Sequence, residues 1–115
     1  MHEPRQRLSD EAIRILKDAR SLLEDPDKWC KGSFANNESG YPCPAINSEA
    51  VTWCAQGAVY AVSKTDTWDQ RQAALRMLQI ATGTFLTRWN DYDDTTHENV
   101  LALFDNAINI GECNE

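Results

Sequence analysis

Cys54, His97, Asn90 and Asp91 are the residue types of a thiol nucleophile, a general base and an orienting amide or carboxylate, groups that need adjacency in space rather than in sequence. Three of the four fall in one polar stretch, RWNDYDDTTHENV (residues 88–100), set between apolar runs. The same stretch places Asp91 and Asp93 one residue apart, as hard oxygen ligands of a calcium loop would be. That pattern then breaks: its sixth position, where a Gly is needed, holds Thr96, and its twelfth, where a bidentate Glu is needed, holds Ala102. A looser Mg²⁺ or Ca²⁺ site from Asp91, Asp93 and Asp94 stays open. The third reading is structural. Thr95 with Glu98 three positions on makes a capping box for the last helix, Thr96 with Asn99 is a shifted alternative, and Asn90 and Asp91 suit the preceding turn. No G-x-S-x-G, phosphate loop, H-E-x-x-H or dinucleotide fingerprint accompanies these residues.

The address of Cys54 weakens the thiol reading. It lies in EAVTWCAQGAVYAVSK, a segment apolar around nearly its full circumference and expected to be one central helix, where a buried cysteine acts as a small hydrophobe with a raised pKa. His97, in the first turn of a helix, sits at the positive end of the dipole and is poorly placed to be cationic. Cys30, Cys43, Cys54 and Cys113 contain no C-x-x-C spacing, so no zinc site and no cofactor is expected.

Charge narrows the function classes further. The net charge is −7, and all eleven Lys and Arg lie in residues 1–88, where eleven acids balance them. The whole excess therefore sits in 89–115, as Asp91, Asp93, Asp94, Glu98, Asp105, Glu112 and Glu115 with no Lys or Arg. Nucleic-acid binding needs cations facing phosphates and is disfavoured; a basic partner surface, or simply a solvated acidic end, fits better. No run of 18 apolar residues and no apolar leader near the N-terminus is present, so no membrane span is expected and the expected compartment is the cytosol, where the thiols stay reduced.

At 115 residues with 42% hydrophobic residues, the chain suits a single domain over 1–115 with one core, residues 1–8 being left as a flexible lead. Ser9 can cap a first helix whose Ala12, Ile13, Leu16, Ala19, Leu22 and Leu23 form one stripe, and Pro26 ends it. Residues 29–47 show no period and read as a long ordered loop, with a turn near Asn37–Gly40 and with Trp29, Phe34 and Tyr41 pinning it to the core. Within the expected central helix, capped by Asn47 or Ser48, Gly57 and Ala58 leave room for a neighbouring backbone. Thr67 with Gln70 is a capping box for a helix over 68–82, stopped by Gly83. TFLTRW adds a short helical turn, and HENVLALFDNAINIG a last helix ended by Gly111. The expected fold class is all-α: a compact bundle of about four main helices with one long loop.

LLEDPDKWCKGSFA, AVTWCAQGA and WNDYDDTTHENVLALFDNAI, in that order, resemble a family of small bacterial and phage-borne proteins known as a domain of unknown function. The resemblance runs from the first helix to Ile108, through W-C-A-x-G-A and W-N-D…T…V motifs, and matches at Asp25, Pro26, Trp29, Gly32, Trp53, Cys54, Gly57, Ala58, Asn90, Asp91, Thr96 and Val100. Cys30, Cys43 and Cys113 are outside it. The resemblance implies that the Trp53–Cys54 segment and the Asn90–Asp91 turn belong to one design, and it implies no activity. The leading functional expectation is a non-enzymatic interaction module that docks a basic protein through Asp91, Asp93, Asp94 and Glu98. The rival is a small hydrolase or transferase using Cys54, His97, Asp91 and Asn90, and self-association through Trp68, Phe85 or the loop aromatics is a third reading.

Overall fold

The computed structural model describes residues 4–113; the first three residues of the expected flexible lead fall outside it. The element order is α1 (Pro4–Leu22), a 3₁₀ turn (Pro26–Lys28), β1 (Ala35–Asn37), β2 (Ala50–Trp53), α2 (Ala55–Val62), α3 (Trp68–Thr82), α4 (Leu86–Asp91) and α5 (His97–Cys113). The molecule is mostly helical, with five α-helices and one two-stranded sheet among the described residues, so the all-α expectation holds only in its coarse form. Helices α1, α3 and α5 pack pairwise against one another, α2 lies on α1, and α4 closes the end formed by α2 and α3.

The core joins Ile15, Leu16, Val59, Leu78, Val100 and Phe104 from four helices with Leu23, just past the end of α1. The apolar stripe expected on α1 is buried as read, Leu22 partly, and Ile15 joins it. The helix begins at Pro4, ahead of the expected cap, so Ser9 lies inside it. It ends at Leu22, and Asp25 is extended and accepts the Asp27 amide (2.9 Å), starting the 3₁₀ turn.

The largest correction concerns residues 49–64. The expected continuous helix is two elements: Ala50–Trp53 pairs antiparallel with Ala35–Asn37 (Ala35 opposite Trp53, Asn36 opposite Thr52), and the helix starts only at Ala55. Consecutive β-branched Val51 and Thr52 followed by Trp53 favour the pleated conformation. What read as all-round helix apolarity is in part a strand alternating between buried Ala50 and exposed Val51. Cys54 keeps the extended conformation (φ −77°, ψ 174°) and caps α2, its Sγ accepting from the Gly57 amide at 3.3 Å. Asn47 instead closes a turn before the strand, its Oδ1 accepting from the Glu49 amide.

The loop expected over 29–47 thus contains a strand. The turn at Asn37–Gly40 is present: the Gly40 amide donates to the Asn37 carbonyl, and Asn37 Oδ1 accepts from the Ser39 and Tyr41 amides. Trp29 packs against the core, but Phe34 and Tyr41, expected to pin the loop, are 46% and 69% exposed. Gly57 does admit a neighbouring backbone. A Cβ there would stand 1.9 Å from the Phe34 carbonyl oxygen, which also accepts the Cys54 amide at 3.1 Å.

Helix α3 has the bounds and capping box read from the sequence, with Gly83 left-handed at φ 72°. Helix α5 starts at His97 as expected and departs from expectation at its C-terminal end. The box is the shifted one, Asn99 N donating to Thr96 Oγ1 (3.1 Å) and Thr96 N to Asn99 Oδ1 (2.9 Å), while Thr95 Oγ1 donates to the Trp89 carbonyl. Gly111 does not stop the helix but lies buried within it, where a Cβ would meet Ile13 at 2.9 Å and Met77 at 3.0 Å.

Candidate functional site

Asn90 is a fully buried polar side chain and forms the hub of the region flagged by the sequence. Its Oδ1 accepts from Trp29 Nε1 (2.8 Å) and the Ala55 amide (3.0 Å), and its Nδ2 donates to the Cys30 carbonyl (3.1 Å) and to Asp91 Oδ1 (3.0 Å). All four bonding positions of the carboxamide are used, which is what a buried amide requires. Asp91 extends the clasp through Oδ1, which also accepts the Gly32 amide at 2.9 Å. Lys31 donates to the Tyr92 carbonyl and lies over the Trp29 ring. One turn of α4 thereby holds the 29–32 segment and the first amide of α2 together.

Of the four residues considered for thiol chemistry, the fold gathers Cys54, Asn90 and Asp91 around this clasp. Cys54 is 3% exposed, and burial pushes its thiol up to about 11 against the opposing pull of the Gly57 amide, so it is protonated near neutral pH. His97 has its Nε2 2.6 Å from the Leu23 carbonyl, which can only accept, so that nitrogen carries the proton; its ring is tilted against Trp29 with centroids 6.3 Å apart. Among the described residues no hydrogen bond links His97 to Cys54, Asn90 or Asp91. The arrangement gives the sulfur a helix amide as partner and no base.

The acidic segment divides by role. Asp91, although exposed, commits Oδ1 to Gly32 and Asn90, Asp105 pairs with Arg20 (2.7 Å), and Glu112 approaches Lys17 at 3.9 Å. Asp93, Asp94 and Glu98 are exposed. Among the described residues no group of three His, Cys, Asp or Glu is placed to hold a metal ion, so Asp91, Asp93 and Asp94 do not converge as a cation site would require.

Beside these exposed acids lies a cleft of about 440 Å³ between the end of α3, α4 and the first turns of α5. Trp89 and Tyr92 supply aromatic surface; Asp94, Asn99 and Asn106 supply oxygen acceptors, and Leu103 is part of the apolar lining. Among the described residues no Lys or Arg lines it. The sequence reading named Asp94 for partner contact but missed the α5 face. Its signal was legible: Asn99, Ala102, Leu103 and Asn106 recur at helical spacing on one side.

Among the described residues no helix is long and apolar enough to cross a membrane. No curated protein and no solved structure shows detectable similarity to the chain. A family model does match, over residues 8–110, which takes in α1 from Leu8, the Trp29–Gly32 clasp, the strand pair and all but the last residues of α5. The chain therefore belongs to the family of unknown function DUF6197.

Proposed function

We propose that this protein is a non-enzymatic interaction module that receives a basic side chain of a partner protein at the cleft between α3, α4 and α5. The observation that carries the reading is the make-up of that cleft: aromatic walls from Trp89 and Tyr92 beside Asp94, with Asp93 and Glu98 exposed nearby and no cation in the lining among the described residues. A Lys or Arg inserted there gains an ion pair, amide acceptors and an aromatic face. Cation–π contact contributes about 0.5–2 kcal/mol, depending on how far the charge is desolvated. The acids outside the cleft steer encounter over roughly a Debye length, about 8 Å at physiological salt. Of the four acids expected to bind, Asp94 makes the contact inside the cleft, Asp93 and Glu98 steer from outside it, and exposed Asp91 has one carboxylate oxygen, Oδ1, committed to Gly32 and Asn90. A cytosolic setting, with reduced thiols, goes with this reading.

The test is titration of the folded chain with a short alternating Arg–Gly peptide over a salt series, repeated on Asp94→Asn and on the Asp93→Asn/Glu98→Gln pair. Affinity should fall steeply with salt, and Asp94→Asn should weaken binding more than the pair. Salt-independent binding, or binding unaffected by Asp94→Asn, would overturn the reading. The rival hydrolase or transferase through Cys54 and His97 draws no support from a capped, protonated thiol, and rapid alkylation of Cys54 in the folded protein would revive it.

A further inference from the structure

A separate cavity of about 360 Å³ lies where the 34–46 segment leans on α2 and α3, at the small end of the size range for ligand pockets. It shares no lining residue with the acidic cleft. Its lining has Phe34, Pro44 and Ile46 from the segment, Tyr60 from α2, and the cations Lys64 and Arg71.

The walls are fixed before any ligand arrives. Tyr60 OH accepts from Gln56 Nε2 at 3.0 Å, and the Phe34 ring meets Tyr60 edge-on with centroids 5.8 Å apart. Arg71 is anchored from behind: its Nε donates to Ser63 Oγ (3.1 Å) and one terminal nitrogen to the Ser63 carbonyl (2.9 Å), while the guanidinium lies over the Tyr60 ring. Ser63 is itself fully buried, so a buried hydroxyl is used to hold a cation at a cavity wall. The other terminal nitrogen, Nη1, has no hydrogen bond among the described residues. Neither Lys64 nor Arg71 has a carboxylate within ion-pairing distance among the described residues, although the chain as a whole carries a charge of −7; nearby Asp66 is taken by Arg14. Phe34 and Ile46 remain exposed at the mouth.

We infer that this cavity binds a small carboxylic acid with an apolar body, the carboxylate meeting Arg71 Nη1 and Lys64 and the body lying between Phe34, Tyr60 and Ile46. A guanidinium already held in place loses little freedom when it binds, and a charge-assisted bond at the rim of an apolar wall is stronger than one in open water. The inference is independent of the basic-partner reading.

The experiment is a chemical-shift titration of the folded full chain with phenylacetate, with 2-phenylethanol and 2-phenylethylamine as probes of the same body without the negative charge. Saturable shifts are expected at Phe34, Tyr60, Lys64 and Arg71, with phenylacetate binding roughly tenfold or more tighter than the alcohol. Lys64→Gln, at an exposed position that leaves the Ser63 anchor intact, should weaken phenylacetate several-fold, and Asp94→Asn should leave it unchanged. Absence of saturable shifts, equal binding of alcohol and carboxylate, or shifts centred on the acidic cleft would overturn the proposal. So would tighter binding of a peptide ending in a free phenylalanine carboxylate, since the site would then read a polypeptide terminus.

Discussion

Replacing Asn90 with alanine tests the clasp at its centre. The change removes the acceptor for Trp29 Nε1 and the Ala55 amide and the donor to the Cys30 carbonyl, and it frees Asp91 to face the Gly32 amide alone. Ala55 is fully buried, so its amide loses its partner without gaining water, whereas Trp29 and Cys30 are half-buried and recover part of theirs. At about 1–3 kcal/mol for each buried group left unpaired, with the half-buried pair at the low end, the loss is roughly 3–5 kcal/mol. Domains of this kind have a total stability of about 5–15 kcal/mol, so the variant should be folded but close to its limit. Urea denaturation followed by tryptophan fluorescence reads this directly. With a typical urea slope the midpoint should fall by roughly 2 M. A loss below about 1 kcal/mol would refute the reasoning, because it would mean that water or a neighbouring side chain replaces Asn90 and that the clasp is dispensable.

Cys54 should alkylate far more slowly than exposed Cys113 in the folded protein at mildly alkaline pH, as site-resolved mass spectrometry would show. Because burial raises its pKa from 9.0 to about 11, the folded state holds the proton more tightly than the unfolded state, so its contribution to stability is complete below about pH 9 and lost as pH rises toward 11. Denaturation between those pH values should reveal that slope, and Cys54→Ala should flatten it. Gly57→Ala forces a Cβ to within 1.9 Å of a backbone oxygen and should cost about 3 kcal/mol or more, while Gly111→Ala meets the Ile13 and Met77 side chains at 2.9 and 3.0 Å rather than backbone and should cost less; comparing their melting temperatures checks the order. Thr96→Ala should cost about 1 kcal/mol through loss of the α5 cap, with Glu98→Ala near neutral, and the reverse order by chemical denaturation would restore the Thr95–Glu98 box.

Where local chemistry decides structure, the sequence was readable. The Thr67–Gln70 box and left-handed Gly83 define α3 to the residue, and the α1 stripe is a matter of spacing alone. The strand pair was hidden because apolar residues at 50–55 fit a buried helix and a buried strand equally by periodicity, and the partner strand Ala35–Asn37 is three residues of a segment with no period. Choosing between the Thr95 and Thr96 caps required knowing that the Trp89 carbonyl takes the Thr95 hydroxyl. Gly111 resembled a stop, but its role is set by Ile13 and Met77, residues distant in sequence. At the site, the Trp53–Cys54 segment and the Asn90–Asp91 turn were read as one design, and Asn90 meets that segment at the Ala55 amide, next to Cys54. Asn106 shares its helical spacing with Asn99, Ala102 and Leu103, whereas the Phe34–Arg71 cavity depends on how separate elements lean together rather than on any motif.

The proposed role of the α3–α4–α5 cleft is to receive a basic side chain. Its most direct measurement is backbone and indole chemical-shift mapping of the folded chain with the alternating Arg–Gly peptide at low and physiological salt. The largest shifts are expected at Trp89, Tyr92, Asp94, Asn99 and Asn106, shrinking as salt rises. Shifts that leave Trp89 and Asp94 unmoved while another face responds would contradict it.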